Sequence, residues 1–357
     1  MRDRVLVWGF SNNRAGTEHV IHSIASALPE VPFDFLCYSA PVNYSDLFGP
    51  VSNNRSFTIP IKIKHPFAYG QQLRHFMNRH AFEYNALWMN INEASNIDIL
   101  KMAAKLGIPR RIVHSHSSSL PDVAITRTAH NFNRSKCVKL ATDRWACSPA
   151  SGEFMFGERD FTVLPNCVDS NALAYSAIDR SRIRTEWDIP EDARLIGTVG
   201  RLVDVKRPSF LIQMLASLIE SGSDCYLMFV GDGPLRADLV GLATKLGVDG
   251  KVRFVGSQER VAPFLSAFDV FALPSHFEGL SVALLEAQFN GLPCVVSDAI
   301  VVESIISRDV RRIACDDSDS WIMALASASR REDSLIKELA SKYDSTIQMP
   351  MIRKLFL

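Results

Sequence analysis

The chain has 357 residues, 47% of them hydrophobic and 22% charged, which is ample core for two globular domains and excludes a disordered or fibrous polymer. Lys+Arg and Asp+Glu stand at 39 each, so no net field draws the chain toward nucleic acid. Seven scattered cysteines, odd in number and without C-x-x-C spacing, read as reduced thiols of a cytoplasmic protein and not as a disulfide framework or zinc site.

The opening MRDRVLVWGF is too short an apolar run for a signal peptide and reads as a first strand. No stretch reaches the length of a membrane-spanning helix, so any membrane contact is expected to be peripheral. In chain order the first half predicts strands over 5–10, 33–38, 86–90, 111–115, 144–148 and 162–164, with helices over 18–28 and 97–106. A break follows at Pro165-Asn166-Cys167-Val168-Asp169, then a polar helical stretch to about residue 187. The second half predicts strands over 195–199, 225–230, 252–255, 270–273 and 293–297. Between them come helices over 209–220, 235–246 and 281–290 and a short one after 255, with more helix from 319 onward. Short apolar strands alternating with longer helices imply parallel α/β layers. The expected fold class is therefore α/β, two Rossmann-like domains facing across a cleft: 1–168 on the acceptor side and 169–357 binding the donor, the terminal helix packing back on the first.

The most informative segment is LPSHFEGLSVALLEAQFNGLPCVVSD, 273–298, with acids at Glu278 and Glu286. If both lie on a helix, eight steps of 100° place them about 80° apart and roughly 12 Å along the axis. That is too far for one small metal but suits two ends of one elongated ligand. Between them, Gly279, Leu280 and Ser281 open the helix, where free N–H groups and the dipole favour an anion. The sequence GRLVDVKRP, 200–208, follows a strand, where Arg201 can fork onto phosphate oxygens and Lys206 adds a compact charge.

Other signals are weaker and each has a plainer explanation. Gly231 and Gly233 in VGDGP permit close approach of backbone to a ligand, but a tight turn explains them equally. Val255, closing a strand before Gly256, offers a surface for a base. Gly16-Thr17 can present N–H groups to a phosphate or simply start a helix. Of His114 and His116, both on one face of a strand, His116 at the tip is the candidate for the cleft and His114 the structural one; no third ligand stands at zinc spacing. Asp317-Ser318-Asp319 has the form of a divalent-metal site but reads as a helix N-cap. Residues 47–82 hold no acid but do hold Arg55, Lys62, Lys64, Arg74 and Arg79; Arg127, Arg134, Lys136, Lys139 and Arg144 form a second basic region. Such surfaces either face solvent or attract an anionic lipid or diphosphate-linked acceptor.

Taken in order, NNRAGTEHVI, RIVHSHSSS, FTVLPNCVD, GRLVDVKRP, FVGDGPLRADL, VRFVG and the 273–298 segment resemble the retaining, nucleotide-sugar-dependent glycosyltransferases of family four (group 1), especially those of bacterial capsule and exopolysaccharide synthesis. The resemblance spans nearly the whole chain and is most specific in the second half; the 40–85 region matches nothing distinctive. It implies the GT-B fold, a nucleotide-diphosphate sugar as donor (uridine diphosphate being the commonest carrier) and a saccharide or lipid-linked saccharide as acceptor, with no metal and no other cofactor. By the same resemblance Glu278 lies beside donor-sugar hydroxyls, and Glu286 accepts from the ribose. Arg201 and Lys206 neutralise the diphosphate, with Gly200, Gly231, Val255, Gly279, Leu280 and Ser281 lining the nucleotide sugar. Gly16 closes over the diphosphate from the other lobe, and His116 faces the sugar. A sugar-nucleotide 2-epimerase of the same fold and a catalytically silent binding subunit remain as alternatives. The lack of G-x-G-x-x-G after the first strand disfavours a dinucleotide oxidoreductase.

Overall fold

A computed structural model describes residues 3–10, 16–38, 53–331 and 335–356. The chain divides into two compact units, Met1–Asn166 with Met349–Leu357, and Cys167–Gln348. The division therefore comes two residues earlier than the expected one, and the last nine residues count with the first unit and not the second.

The first unit is a parallel sheet of seven described strands, β1 (Arg4–Trp8), β2 (Phe33–Tyr38), β3 (Arg55–Ile59), β4 (Tyr84–Ile91), β5 (Arg110–Ser115), β6 (Asp143–Ala146) and β7 (Thr162–Val163), in the order β3-β2-β1-β4-β5-β6-β7. The central β4, YNALWMNI, is buried along almost its whole length, as expected of a parallel strand covered on both faces. One face packs against α2 (Pro66–His80), α3 (Asp98–Lys105), α4 (Ala124–Leu140) and α5 (Pro149–Phe156), through Tyr69, Leu73, Leu100, Cys137 and Met155. The other carries α1 (Gly16–Ala27), with Val20, Ile21 and Ile24 buried on Phe33, Phe35 and Trp88. Phe356 completes that face, its ring 5.1 Å from Trp88, 5.3 Å from Trp145 and 5.8 Å from Phe33. The terminal helix thus contributes core to the first unit. Within β2, the buried Asp34 accepts from Arg4, Arg55 and Tyr84, so its charge is partnered.

The second unit holds β8 (Arg194–Val199), β9 (Cys225–Val230), β10 (Val252–Gly256), β11 (Val270–Leu273), β12 (Cys294–Ser297) and β13 (Val310–Ile313), all parallel, ordered β10-β9-β8-β11-β12-β13. Its helices are α6 (Ala177–Glu186), α7 (Pro208–Glu220), α8 (Arg236–Lys245), α9 (Ala262–Ala267), α10 (Val282–Phe289), α11 (Ser318–Ser327) and α12 (Lys337–Ser341). The strand order reverses between β8 and β11, so the loops leaving their carboxyl ends part in opposite directions and open a crevice between them. Helix α13 (Ser345–Phe356) starts in this unit and ends in the first.

Candidate active site

Arg201 and Lys206 lie on the loop leaving β8, Glu278 on the loop leaving β11, so both sides of the reversal point carry charge. The Lys206 ammonium pairs with the Glu278 carboxylate, which also accepts from Ser275 Oγ at 3.1 Å. Ser275 is itself held, since its carbonyl accepts from Ser297 Oγ at 2.5 Å. The two loops are further joined by the His276 N–H donating to the Val205 carbonyl at 2.8 Å. Arg201 is exposed and makes no ion pair among the described residues, so its fork is open to an anion.

Glu278 does not belong to the helix. It precedes it, in an isolated parallel bridge with Ile300, so the 80° and 12 Å geometry expected from a shared helix does not apply. Helix α10 begins at Val282 with Ser281 as N-cap, whose side chain makes no capping bond. The amides opening this helix are thus uncapped beside the Lys206–Glu278 pair. Glu286 sits inside α10, 8% exposed, and burial pushes its carboxyl up to about 8. A carboxyl that is mostly protonated at neutral pH can donate a hydrogen bond to a hydroxyl as well as accept one.

The glycines of the VGDGP turn have a specific purpose. A Cβ on Gly231 would stand 2.0 Å from the Gly200 carbonyl, and one on Gly233 2.4 Å from the Leu202 carbonyl. The close approach is thus to the Arg201 loop, which the Leu202 N–H ties to the Asp232 carbonyl at 3.0 Å. Gly200 leaves β8 in the same contact. Val255 is half-buried near the carboxyl end of β10, one residue before Gly256, whose carbonyl accepts from Gly231 N–H at 2.9 Å. All these positions share the carboxyl edge of one sheet. A cavity of about 570 Å³ in this unit lies elsewhere, near Arg194, Cys225 and Asp269 at the amino ends of β8, β9 and β11, where Arg180 pairs with Asp269.

In the first unit, His116 follows β5 directly and His114 is its penultimate residue, their rings 4.1 Å apart. His114 is wholly buried against Trp88 with neither ring nitrogen hydrogen-bonded. Burial pushes His116 down to about 3, so both rings are neutral at physiological pH. His116 Nε2 meets Asn90 Oδ1 at 2.9 Å, and Asn90 Nδ2 donates to the Trp8 carbonyl at 3.3 Å. With the amide so oriented, Nε2 carries the proton and Nδ1 is left as an acceptor. Gly16 opens α1, while the loop before it, 11–15, lies outside the described residues, as does 39–52 of the acceptor-side segment.

Asp317 caps α11, its carboxylate accepting from the Ser320 N–H at 3.0 Å, which accounts for the D-x-D spacing. The basic stretches are partly consumed internally. Arg55 pairs with Asp34 and Glu83, Lys62 with Asp98 at 2.6 Å, and Arg134 donates to the Met155 carbonyl at 3.0 Å. Lys64, Arg74, Arg79, Lys136 and Lys139 stay exposed.

Residues 179–342 match the family model of glycosyl transferases group 1. The second unit is of this family. A putative glycosyltransferase, EpsF, of Bacillus subtilis is 28% identical over 93% of this chain and 91% of its own length. The UDP-Gal:alpha-D-GlcNAc-diphosphoundecaprenol alpha-1,3-galactosyltransferase of Escherichia coli is 29% identical over 60% of this chain and 52% of its own. Among solved structures, HepE of Anabaena in complex with UDP and glucose superposes with a TM-score of 0.75 at 19% identity, over 99% of both chains. The two parallel-sheet domains are those of the GT-B fold, as the sequence implied. Sequence reasoning missed Ser275 and Asn90. Both stand at strand ends, Ser275 three residues before Glu278, yet their roles depend on cross-strand register that a single sequence does not display.

Proposed function

We propose that this glycosyltransferase moves a sugar from a nucleotide diphosphate, UDP in the first instance, to a saccharide or lipid-linked saccharide in polysaccharide synthesis, with retention of anomeric configuration and without a metal. The observation that carries this reading is the pairing of Lys206 with Glu278 across the strand-order reversal. As the glycosidic bond breaks, the sugar carbon becomes oxocarbenium-like and the diphosphate gains charge. Arg201, Lys206, the backbone of Gly279, Leu280 and Ser281 leading into α10, and the uncapped first-turn amides from Val282 on are the groups that would hold that charge, making a metal unnecessary. Glu278 would take the sugar hydroxyls and Glu286 the ribose. Retention follows if the acceptor attacks on the face the phosphate leaves, the phosphate oxygen taking its proton; no protein nucleophile is invoked. His116, neutral and with its Nδ1 buried without a hydrogen-bond partner, is the candidate sugar contact of the first unit. The UDP bound by the Anabaena protein and the UDP-Gal named for the Escherichia coli enzyme support uridine diphosphate.

The diphosphoundecaprenol acceptor named for that relative also favours a lipid-linked acceptor here, and with it peripheral membrane contact. Helices α2 and α4 carry no acidic residue, and Ile63, Phe67, Ile125 and Phe132 are 88%, 92%, 74% and 85% exposed. Apolar tips among cations suit an anionic bilayer. No helix among the described residues is long and apolar enough to cross a membrane.

The deciding experiment incubates the protein with UDP- and GDP-sugars, with and without diphospholipid-linked saccharides, in the presence of chelator. Acceptor-dependent product with the donor's own anomeric configuration is expected. An isomerised nucleotide sugar without acceptor would indicate the epimerase instead, and no turnover of any donor would leave a binding subunit.

A further inference from the structure

Arg207 has no part in the site as built above, yet its backbone is unusual. With φ 50° and ψ 49° it is one of two non-glycine residues of positive φ among the described residues. Left-handed backbone crowds a Cβ against the following carbonyl, so such a residue persists only where its surroundings hold it. Two contacts do so here. Its Nη1 donates to the Cys315 carbonyl at 2.8 Å, and its guanidinium lies 4.3 Å from the centroid of the Phe210 ring.

The position of this residue in the chain gives the contacts their meaning. A one-turn 3-10 segment, Asp204–Lys206, ends at Arg207, and α7 starts with Pro208, whose ring fixes its φ. The change of backbone hand is therefore confined to the residue next to Lys206. On the other side of Lys206, the Val205 carbonyl is pinned by the His276 N–H at 2.8 Å. Lys206 thus stands between two anchors, one to the loop after β11 and one to the loop after β13.

We propose that Arg207 is a positioning residue for Lys206: tied to the Cys315 carbonyl and the Phe210 ring, it fixes the direction in which Lys206 leaves the turn and so sets the affinity of the site for a diphosphate. The inference rests on the reading of Lys206 as a diphosphate ligand. A glycine at 207 would relieve the backbone but release the tether, which separates the two effects.

The test titrates UDP, GDP and inorganic pyrophosphate into the native protein, Arg207→Gly, Arg207→Lys, Lys206→Ala and the double variant Lys206→Ala/Arg207→Gly, with melting temperatures recorded alongside. Arg207→Gly is expected to melt within a few degrees of native and to bind diphosphate about tenfold more weakly, with Arg207→Lys between the two. In the Lys206→Ala background the same glycine is expected to change affinity no further. Native affinity in Arg207→Gly overturns the inference, as does an equal loss with and without Lys206, which would mark general loosening. Native affinity in Lys206→Ala would overturn the diphosphate-site reading itself, and this inference with it.

Discussion

Lys206 and Glu278, 72 positions apart in sequence, share a charge pair that joins the loop after β8 to the loop after β11. On the proposed function, the ammonium would meet the charge of a leaving diphosphate and its partner a sugar hydroxyl. Single changes Arg201→Ala, Lys206→Ala and Glu278→Gln are each expected to lower kcat/KM for transfer by roughly two to three powers of ten, as for other fixed electrostatic donors. The double variant Lys206→Ala/Glu278→Gln should lose less than the sum, because the two act on one another. Full additivity in steady-state rates would count against the pair acting as a unit.

Glu286 makes a prediction in pH. Burial raises its folded pKa to about 8 from the ordinary carboxyl value of 4.5, so between those values the unfolded chain has released a proton that the folded chain keeps. Stability therefore falls as pH rises through that window, by up to about 1.4 kcal/mol per pH unit, and levels off above it. Glu286→Gln should abolish that slope, so its melting temperature gains on native between about pH 5 and about pH 8. Parallel melting curves across the range would contradict the burial argument. If the ribose donates to this carboxylate, nucleotide binding should also tighten toward about pH 8 in the native protein and not in Glu286→Gln.

His114 and His116 act with the opposite sign. Both pKa values are lowered by burial, that of His116 to about 3, so below the ordinary histidine range the unfolded chain gains protons that the folded chain refuses. Stability is lost as pH falls from about 6.5. His114→Phe removes one of these groups, along with two buried ring nitrogens lacking partners. Its stability advantage over native should grow as pH falls from about 8 to about 5, whatever constant offset the lost nitrogens leave. Equal acid sensitivity in chemical denaturation would show that His114 is not the source.

The terminal helix is predicted to stabilise the first unit directly. Phe356 meets three aromatic rings there, so Phe356→Ala should cost about 3–5 kcal/mol of that unit's stability in denaturant unfolding. A loss under about 1 kcal/mol would mean that the site collapses around the smaller side chain.

The sequence displayed the fold where burial was two-sided. Cys225–Val230 and Val270–Leu273 are unbroken apolar runs bounded by turns, and their limits were legible to the residue. The edge strands Arg55–Ile59 and Val310–Ile313 were missed because RSFTI and VRRI are half-exposed and carry charge in place of an apolar run. Helix α4 was missed for the related reason that only His130 and Cys137 of its residues are buried, leaving no apolar stripe. Helix α2 had the stripe, Tyr69, Leu73, Phe76 and Met77, but amid arginines and histidines it went unread. In the site, cations and acids directly after strands were legible because strand ends face the crevice. Arg207 was not, since its significance is a backbone angle, and at Gly231 the sequence left a ligand and a tight turn equally open, whereas the structure shows close backbone approach to the Gly200 carbonyl.

The central claim is that Arg201 and Lys206 grip a diphosphate, and the most direct measurement is the ratio of UDP to UMP affinity, with GDP and GMP alongside, in native protein and in Arg201→Ala and Lys206→Ala. The native ratio should be at least about tenfold in favour of the diphosphate, and it should shrink toward unity when either cation is removed, more so with both. A diphosphate preference that survives both substitutions would contradict the account.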